Sequence, residues 1–108
     1  MTAKKIEDIY LNEEVFHTFE IYGITFKVRE IDGDTLTKIT EKCILNPGAP
    51  RPSVDREKYR VELWKAAIVE PQIDFSKKVK ASYWFSITRK IEEVLGISPE
   101  ALGFLPNE

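Results

Sequence analysis

Val15-Phe16-His17-Thr18-Phe19-Glu20-Ile21-Tyr22-Gly23-Ile24-Thr25-Phe26-Lys27-Val28-Arg29-Glu30-Ile31 decides the fold. It contains two apolar runs, 15–21 and 24–31, both rich in β-branched and aromatic side chains. The second run alternates cleanly. Ile24, Phe26 and Val28 fall on one face, and Thr25, Lys27 and Arg29 on the other. Period two is the pattern of a half-buried strand. Tyr22-Gly23 between the runs suits a tight turn that needs a positive φ at Gly23. The stretch therefore predicts a β-hairpin.

Downstream, Asp32-Gly33-Asp34 closes the hairpin and opens a helix with Asp34 as N-cap. Leu36, Ile39, Thr40 and Cys43 recur at the spacing of one helical face. That helix must stop by Asn46, because Pro47 disfavours helical geometry in the residue before it. Asn46-Pro47-Gly48-Ala49-Pro50-Arg51-Pro52-Ser53 reads as an exposed loop, since so many breakers exclude helix and central strand. A second helix begins at Ser53 or Asp55 and runs to about Val69, with Pro71 ending it. Its Lys58, Glu62 and Lys65 share a narrow face and apolar side chains fill the rest, so it should be covered on more than one side. Residues 70–75 form an extended connection with Ile73 and Phe75 tucked inward. A third helix starts at Asp74 or Ser76 and runs to Leu95, with Gly96 as its C′ residue. Ser98-Pro99-Glu100 begins a short turn over 100–103, after which Phe104-Leu105 folds back. Upstream, residues 1–13 are polar and expected to be loosely held. The expectation is an α+β fold: an N-terminal hairpin, a mainly helical body of three helices, and a short C-terminal turn. All 108 residues form one domain, with 1–13 flexible and 46–53 an exposed proline-rich loop.

Composition narrows the function. Sixteen Lys and Arg against 18 Asp and Glu leave a formal charge of −2, with no basic excess to follow a phosphate backbone. The long proline-rich connection between the first two helices is also unlike the tight turn of a helix-turn-helix. No apolar run approaches the about 18 residues that span a bilayer. The N-terminus has no apolar stretch of the signal-peptide kind, so the expected location is the cytoplasm. One cysteine excludes a disulfide within the chain.

Catalytic constellations are missing. The single histidine, His17, lies in the first predicted strand, and a general base there would need an orienting carboxylate and a nucleophile. Cys43 belongs to an apolar helical stripe, where core packing is the common role. With one Cys and one His, a zinc site is out of reach. The five glycines make no phosphate loop. Asp32-Gly33-Asp34 resembles the start of a calcium loop, but the later ligand positions are not filled. The chain is expected to be no enzyme and to need no cofactor and no metal.

Tyr83-Trp84-Phe85 carries most information about function. Three consecutive aromatics point about 100° apart on a helix. Val79, Tyr83, Trp84, Ile87, Ile91, Val94 and Leu95 share a broad stripe, and Phe85 lies nearly opposite its centre. Either the hairpin or the tail at Phe104-Leu105 covers Phe85, or the ring is open to a partner. Aromatics are over-represented at interface hot spots, so Tyr83, Trp84, Phe85 and Phe104 are the candidate partner-binding residues. Trp64 in the second helix is assigned to the core.

The order of hairpin, helix, Pro-Gly loop, apolar helix, extended segment and long helix resembles the tail assembly chaperones of phages and prophages. Residues that carry the resemblance are Phe26-Lys27-Val28-Arg29, the helix 59–68 leading into Val69-Glu70-Pro71-Gln72-Ile73-Asp74, and Leu95-Gly96. The likeness spans about residues 24–104; the proline-rich loop and the turn at 98–104 have no counterpart in the pattern. It implies a non-catalytic protein made during virion assembly that binds the tape-measure protein's apolar helices and helps recruit tail-tube subunits. It also implies self-association as a homo-oligomer when the apolar patch is idle. The alternative is a small structural virion component, such as a tail completion or connector protein, pairing through an exposed strand edge.

Overall fold

In the computed structural model the described residues are 6–45, 48, 50 and 53–98. The predicted hairpin is present as β1 (Phe16–Ile21) and β2 (Ile24–Arg29), antiparallel, with Phe19 opposite Phe26 and Ile21 opposite Ile24. Alternation places Phe19, Phe26 and Val28 in the core, while Thr18, Glu20, Thr25 and Arg29 face solvent. The Phe19 and Phe26 rings stack at 5.5 Å. Tyr22 and Gly23 both have positive φ, 48° and 84°, which is the geometry of a type I′ turn. A side chain at residue 23 would meet no atom within 4 Å, so only its backbone conformation resists substitution. Gly23→Val is accordingly expected to cost about 1–2 kcal/mol in urea unfolding, whereas Gly33→Ala, at a helical position, should cost nothing measurable.

The first helix, α1 (Gly33–Lys42), buries Ile39, with Cys43 buried just beyond its end. Its N-cap is Asp32 rather than the expected Asp34. The extended backbone of Asp32 (φ −82°, ψ 167°) brings its carboxylate to the Thr35 amide at 3.3 Å, and the Thr35 hydroxyl donates to the same oxygen. Asp34 sits inside the first turn instead, where a negative charge still complements the helix dipole. The predicted loop over 46–53 lies outside the described residues except at 48, 50 and 53, but the residues that flank it are pinned together. Ile44 bridges Val54, the Leu45 amide donates to the Ser53 carbonyl at 2.8 Å, and the Asp55 amide donates to the Cys43 carbonyl at 2.7 Å.

Asp55 then caps α2 (Arg56–Ala67), accepting from the Lys58 amide at 3.0 Å. Tyr59, Leu63, Trp64 and Ala67 are buried, and Arg60, Val61, Glu62 and Ala66 are half-buried, so the helix is enclosed on more than one side as its wide apolar arc requires. It ends at Ala67, two residues before the expected Val69. Ile68–Glu70 becomes a third strand, β3, antiparallel to β2 with Ile68 opposite Val28 and Glu70 opposite Lys27. β-branched Ile68 and Val69 favour extended backbone, and Pro71 lacks the amide that a further helical turn would use. The sheet order is β1-β2-β3, which makes β2 central and β1 an edge.

The last helix, α3 (Ala81–Leu95), begins later than Asp74 or Ser76. Asp74 does not cap a helix. Its carboxylate accepts from the Ser76 amide at 3.0 Å and the Ser76 hydroxyl at 2.6 Å, closing a turn two residues long. Lys77, Lys78 and Lys80 follow in irregular backbone, and the helix begins only at Ala81, with Lys80 as an N-cap that makes no side-chain capping bond. Ile73 packs on the core as expected, but Phe75 is exposed, with the Lys65 ammonium 5.4 Å above its ring. At the other end Gly96 (φ 70°) is the left-handed terminator the sequence predicts. The Ile97 amide donates back to the Glu92 carbonyl at 2.8 Å.

Both α2 and α3 pack against the inner face of the sheet around Val28, Leu63, Trp64, Ile87 and Ile91. Upstream, Ile6–Ile9 makes one 3-10 turn, and every side chain over 6–13 is exposed. The predicted turn over 100–103 and Phe104 lie outside the described residues.

Candidate functional site

The aromatic triplet of α3 divides into two fixed rings and one open ring. Tyr83 is half-buried and meets the Tyr22 ring edge-on at 5.0 Å, and the Tyr22 hydroxyl lies 3.2 Å from the Ser86 hydroxyl. Trp84 is half-buried and rests on the Trp64 ring at 4.5 Å. Phe85 is 52% exposed. Neither the hairpin nor any other described element covers it. What it has is the Arg60 guanidinium, 4.6 Å from its ring centre, in a cation–π stack across from α2. Phe75 and Val79, exposed by 38% and 37%, add apolar surface on the segment leading into the same helix.

Beneath this surface the two helices are locked by polar contacts. Trp64 Nε1 donates to Thr88 Oγ1 at 2.9 Å, and Thr88 Oγ1 donates to the Trp84 carbonyl at 2.7 Å. The Tyr59 hydroxyl donates to Glu92 Oε2 at 2.9 Å. Burial, reinforced by the neighbouring Glu92 charge, holds the Tyr59 phenol protonated far above its ordinary range. Burial also lowers the proton affinity of Arg60, with Arg56 adding to it, although a guanidinium stays charged throughout the useful pH range. Arg60 therefore offers Phe85 a partly desolvated cation, and the ring remains more than half exposed.

Glu92 yields a pH prediction. Burial raises its pKa above 4.5, against the opposing pull of the Tyr59 hydrogen bond and Arg60. A carboxyl with a raised folded-state pKa holds its proton more tightly when folded. Its contribution to stability is full below the unfolded-state value and is lost as pH rises through the higher folded-state value. Glu92→Gln keeps an acceptor for Tyr59 and removes the titration. The urea midpoint of Glu92→Gln should therefore gain on the wild type as pH rises through and past the 4.5 region. A constant offset between the two curves would contradict the assignment.

The reactive side chains are placed as follows. His17 Nε2 lies 2.7 Å from Glu30 Oε1, a carboxylate that the sequence did not single out. The pairing follows from the hairpin register: His17 is opposite Val28, and Glu30 is two residues on along the same face. His17 forms no hydrogen bond to a Ser, Thr or Cys among the described residues. Cys43 is 1% exposed, and burial raises its pKa, which disfavours the thiolate. Among the described residues no group of three or more His, Cys, Asp or Glu could hold a metal ion. No helix among them is long and apolar enough to cross a membrane.

The structure thus brings Tyr83, Trp84 and Phe85 to one end of α3 but leaves only Phe85 open, with the Arg60 guanidinium stacked on it. Comparisons with protein-family models, with curated proteins and with solved structures return no match.

Proposed function

We propose that the chain is a non-catalytic protein-binding protein that acts in the host cytoplasm as a phage tail assembly chaperone, holding apolar helices of a tape-measure protein against the outer face of α3. The observation that carries this is Phe85: a large ring, more than half exposed, on a helix whose neighbouring aromatics are fixed from below. Pre-organised aromatic surface loses little conformational freedom on binding, which is what a hot spot requires. Arg60 and Lys65 over exposed rings keep such a surface solvated when it is idle. Co-expression with the tape-measure protein is the test. A soluble complex that co-elutes on size exclusion supports the proposal; an insoluble partner with no complex rejects it.

The free edge of β1 favours a second role, that of a structural virion component. Ile21 and Ile24 close a two-residue turn, so residues 17, 19 and 21 bond β2, and the backbone groups of Phe16, Thr18 and Glu20 point away from the sheet. No backbone hydrogen bond among the described residues occupies that edge. An unpaired edge is able to accept a strand from a neighbour. Mass spectrometry of purified particles separates the two roles, because a structural component stays in the particle and a chaperone does not.

A further inference from the structure

We infer that copies of this chain associate head to tail, the lysine segment before α3 of one copy docking in the acidic, apolar cleft at the N-terminal end of the next. This goes beyond the proposed function and does not depend on what α3 binds.

The cleft measures about 620 Å³. Ile9, Tyr10 and Val15 give it apolar lining, Asp8, Glu30 and Asp34 give it carboxylates, and among the described residues no basic side chain lines it. These three apolar side chains are exposed by 41% to 71% in the single chain, while Ile31, also in the lining, is half-buried against the core. The lysine segment has the opposite character. Lys77, Lys78 and Lys80 are exposed, with Phe75 and Val79 exposed among them. Neither Asp34 nor any of these three lysines belongs to an ion pair among the described residues.

The two surfaces cannot meet within one molecule. Val15 and Glu30 flank the open end of the hairpin, where their backbones bond at 2.8 Å. Lys80 lies just before Tyr83, which packs on Tyr22 in the turn that closes the other end. Six-residue strands at about 3.3 Å per residue put these ends roughly 20 Å apart. Each copy therefore presents one acidic apolar recess and one basic apolar projection on opposite ends. Such an arrangement is satisfied by a heterologous contact, which propagates into a ring or an open chain. The charges set direction and register, and the apolar side chains at both ends supply the area removed from water.

Sedimentation of the full chain tests this. At about 10 mM salt, where screening extends roughly 30 Å, average mass should rise with protein concentration. At about 1 M, where it extends roughly 3 Å, the apparent dissociation constant should be at least about tenfold weaker. Lys77→Glu/Lys78→Glu and Asp8→Lys/Asp34→Lys should each remain monomeric at low salt, with unchanged far-ultraviolet circular dichroism. Both variants leave the Asp32 cap in place. Mixed in equal amounts they should associate again, because each reversed end now matches the other variant. A monomer at low salt, association indifferent to either reversal, or a mixture that stays monomeric would each overturn the inference.

Discussion

Trp64→Ala is expected to lower the unfolding free energy by about 3–5 kcal/mol, the largest loss from any single substitution in this chain. Trp64 is 1% exposed and lies where α2 and α3 meet, with the Trp84 ring against it. Truncation removes most of that contact and leaves a cavity that no neighbour can fill, since Leu63 and Ile91 are themselves fully buried. Lost hydrogen bonding is a smaller part. Thr88 keeps its bond to the Trp84 carbonyl, so the substitution strands no buried hydroxyl. Trp64→Phe separates the two contributions. It keeps a buried ring and loses the indole donor, for an expected cost of about 1–2 kcal/mol. Domains of this size have about 5–15 kcal/mol in total, so Trp64→Ala should leave a marginally folded protein. Urea unfolding followed by circular dichroism gives both values. A loss below about 1 kcal/mol for Trp64→Ala would show that the α2–α3 contact is not the centre of the core.

Phe85→Ala should do the reverse: little to the fold and much to binding. The ring is 52% exposed and its described aromatic contact is the Arg60 stack, worth about 0.5–1 kcal/mol at an exposed site. Stability should therefore fall by about 1 kcal/mol or less. If Phe85 anchors the partner, truncation should cost about 2–4 kcal/mol of affinity, or roughly 30- to 1,000-fold in dissociation constant. Phe16→Ala is the matched control. Phe16 is also an exposed aromatic under a cation, with Lys27 at 4.4 Å, but it lies on the open face of the sheet. Calorimetric titration with the tape-measure protein should show the loss for Phe85→Ala and near wild-type affinity for Phe16→Ala. Equal losses would mean that apolar surface in general, not the α3 face, attracts the partner.

The elements legible in the sequence were those fixed by local chemistry. Period two in 24–29, a glycine at a position needing positive φ, and Gly96 after an apolar helix each act within a few residues. Asp55 was one of the two caps the sequence allowed for α2. What escaped depended on competition or on distant partners. Ile68–Glu70 continues the apolar pattern of α2 and reveals itself as a strand only when β2 is there to pair with it. Asp32 and Asp34 are equivalent as capping residues, and the backbone angle at the end of the hairpin chooses between them. Asp74 looked like a cap because its short-range bond to Ser76 uses the same chemistry as one. For the candidate site, the sequence set Phe85 apart as the ring opposite the apolar stripe and left open whether another element covers it. Tyr83 and Trp84 are held by Tyr22 and Trp64, long-range contacts that no local pattern encodes. The Arg60 stack on Phe85 is of the same kind, and nothing in the spacing of either residue announces it.

Side-chain oxidation by hydroxyl radicals, read by mass spectrometry with and without the tape-measure protein, tests the central claim most directly. Phe85 should be oxidised readily in the free chain and protected in the complex, while Phe16 stays equally reactive in both. Protection of Phe16 with Phe85 unchanged would place the partner on the sheet side and contradict the assignment of α3 as the binding face.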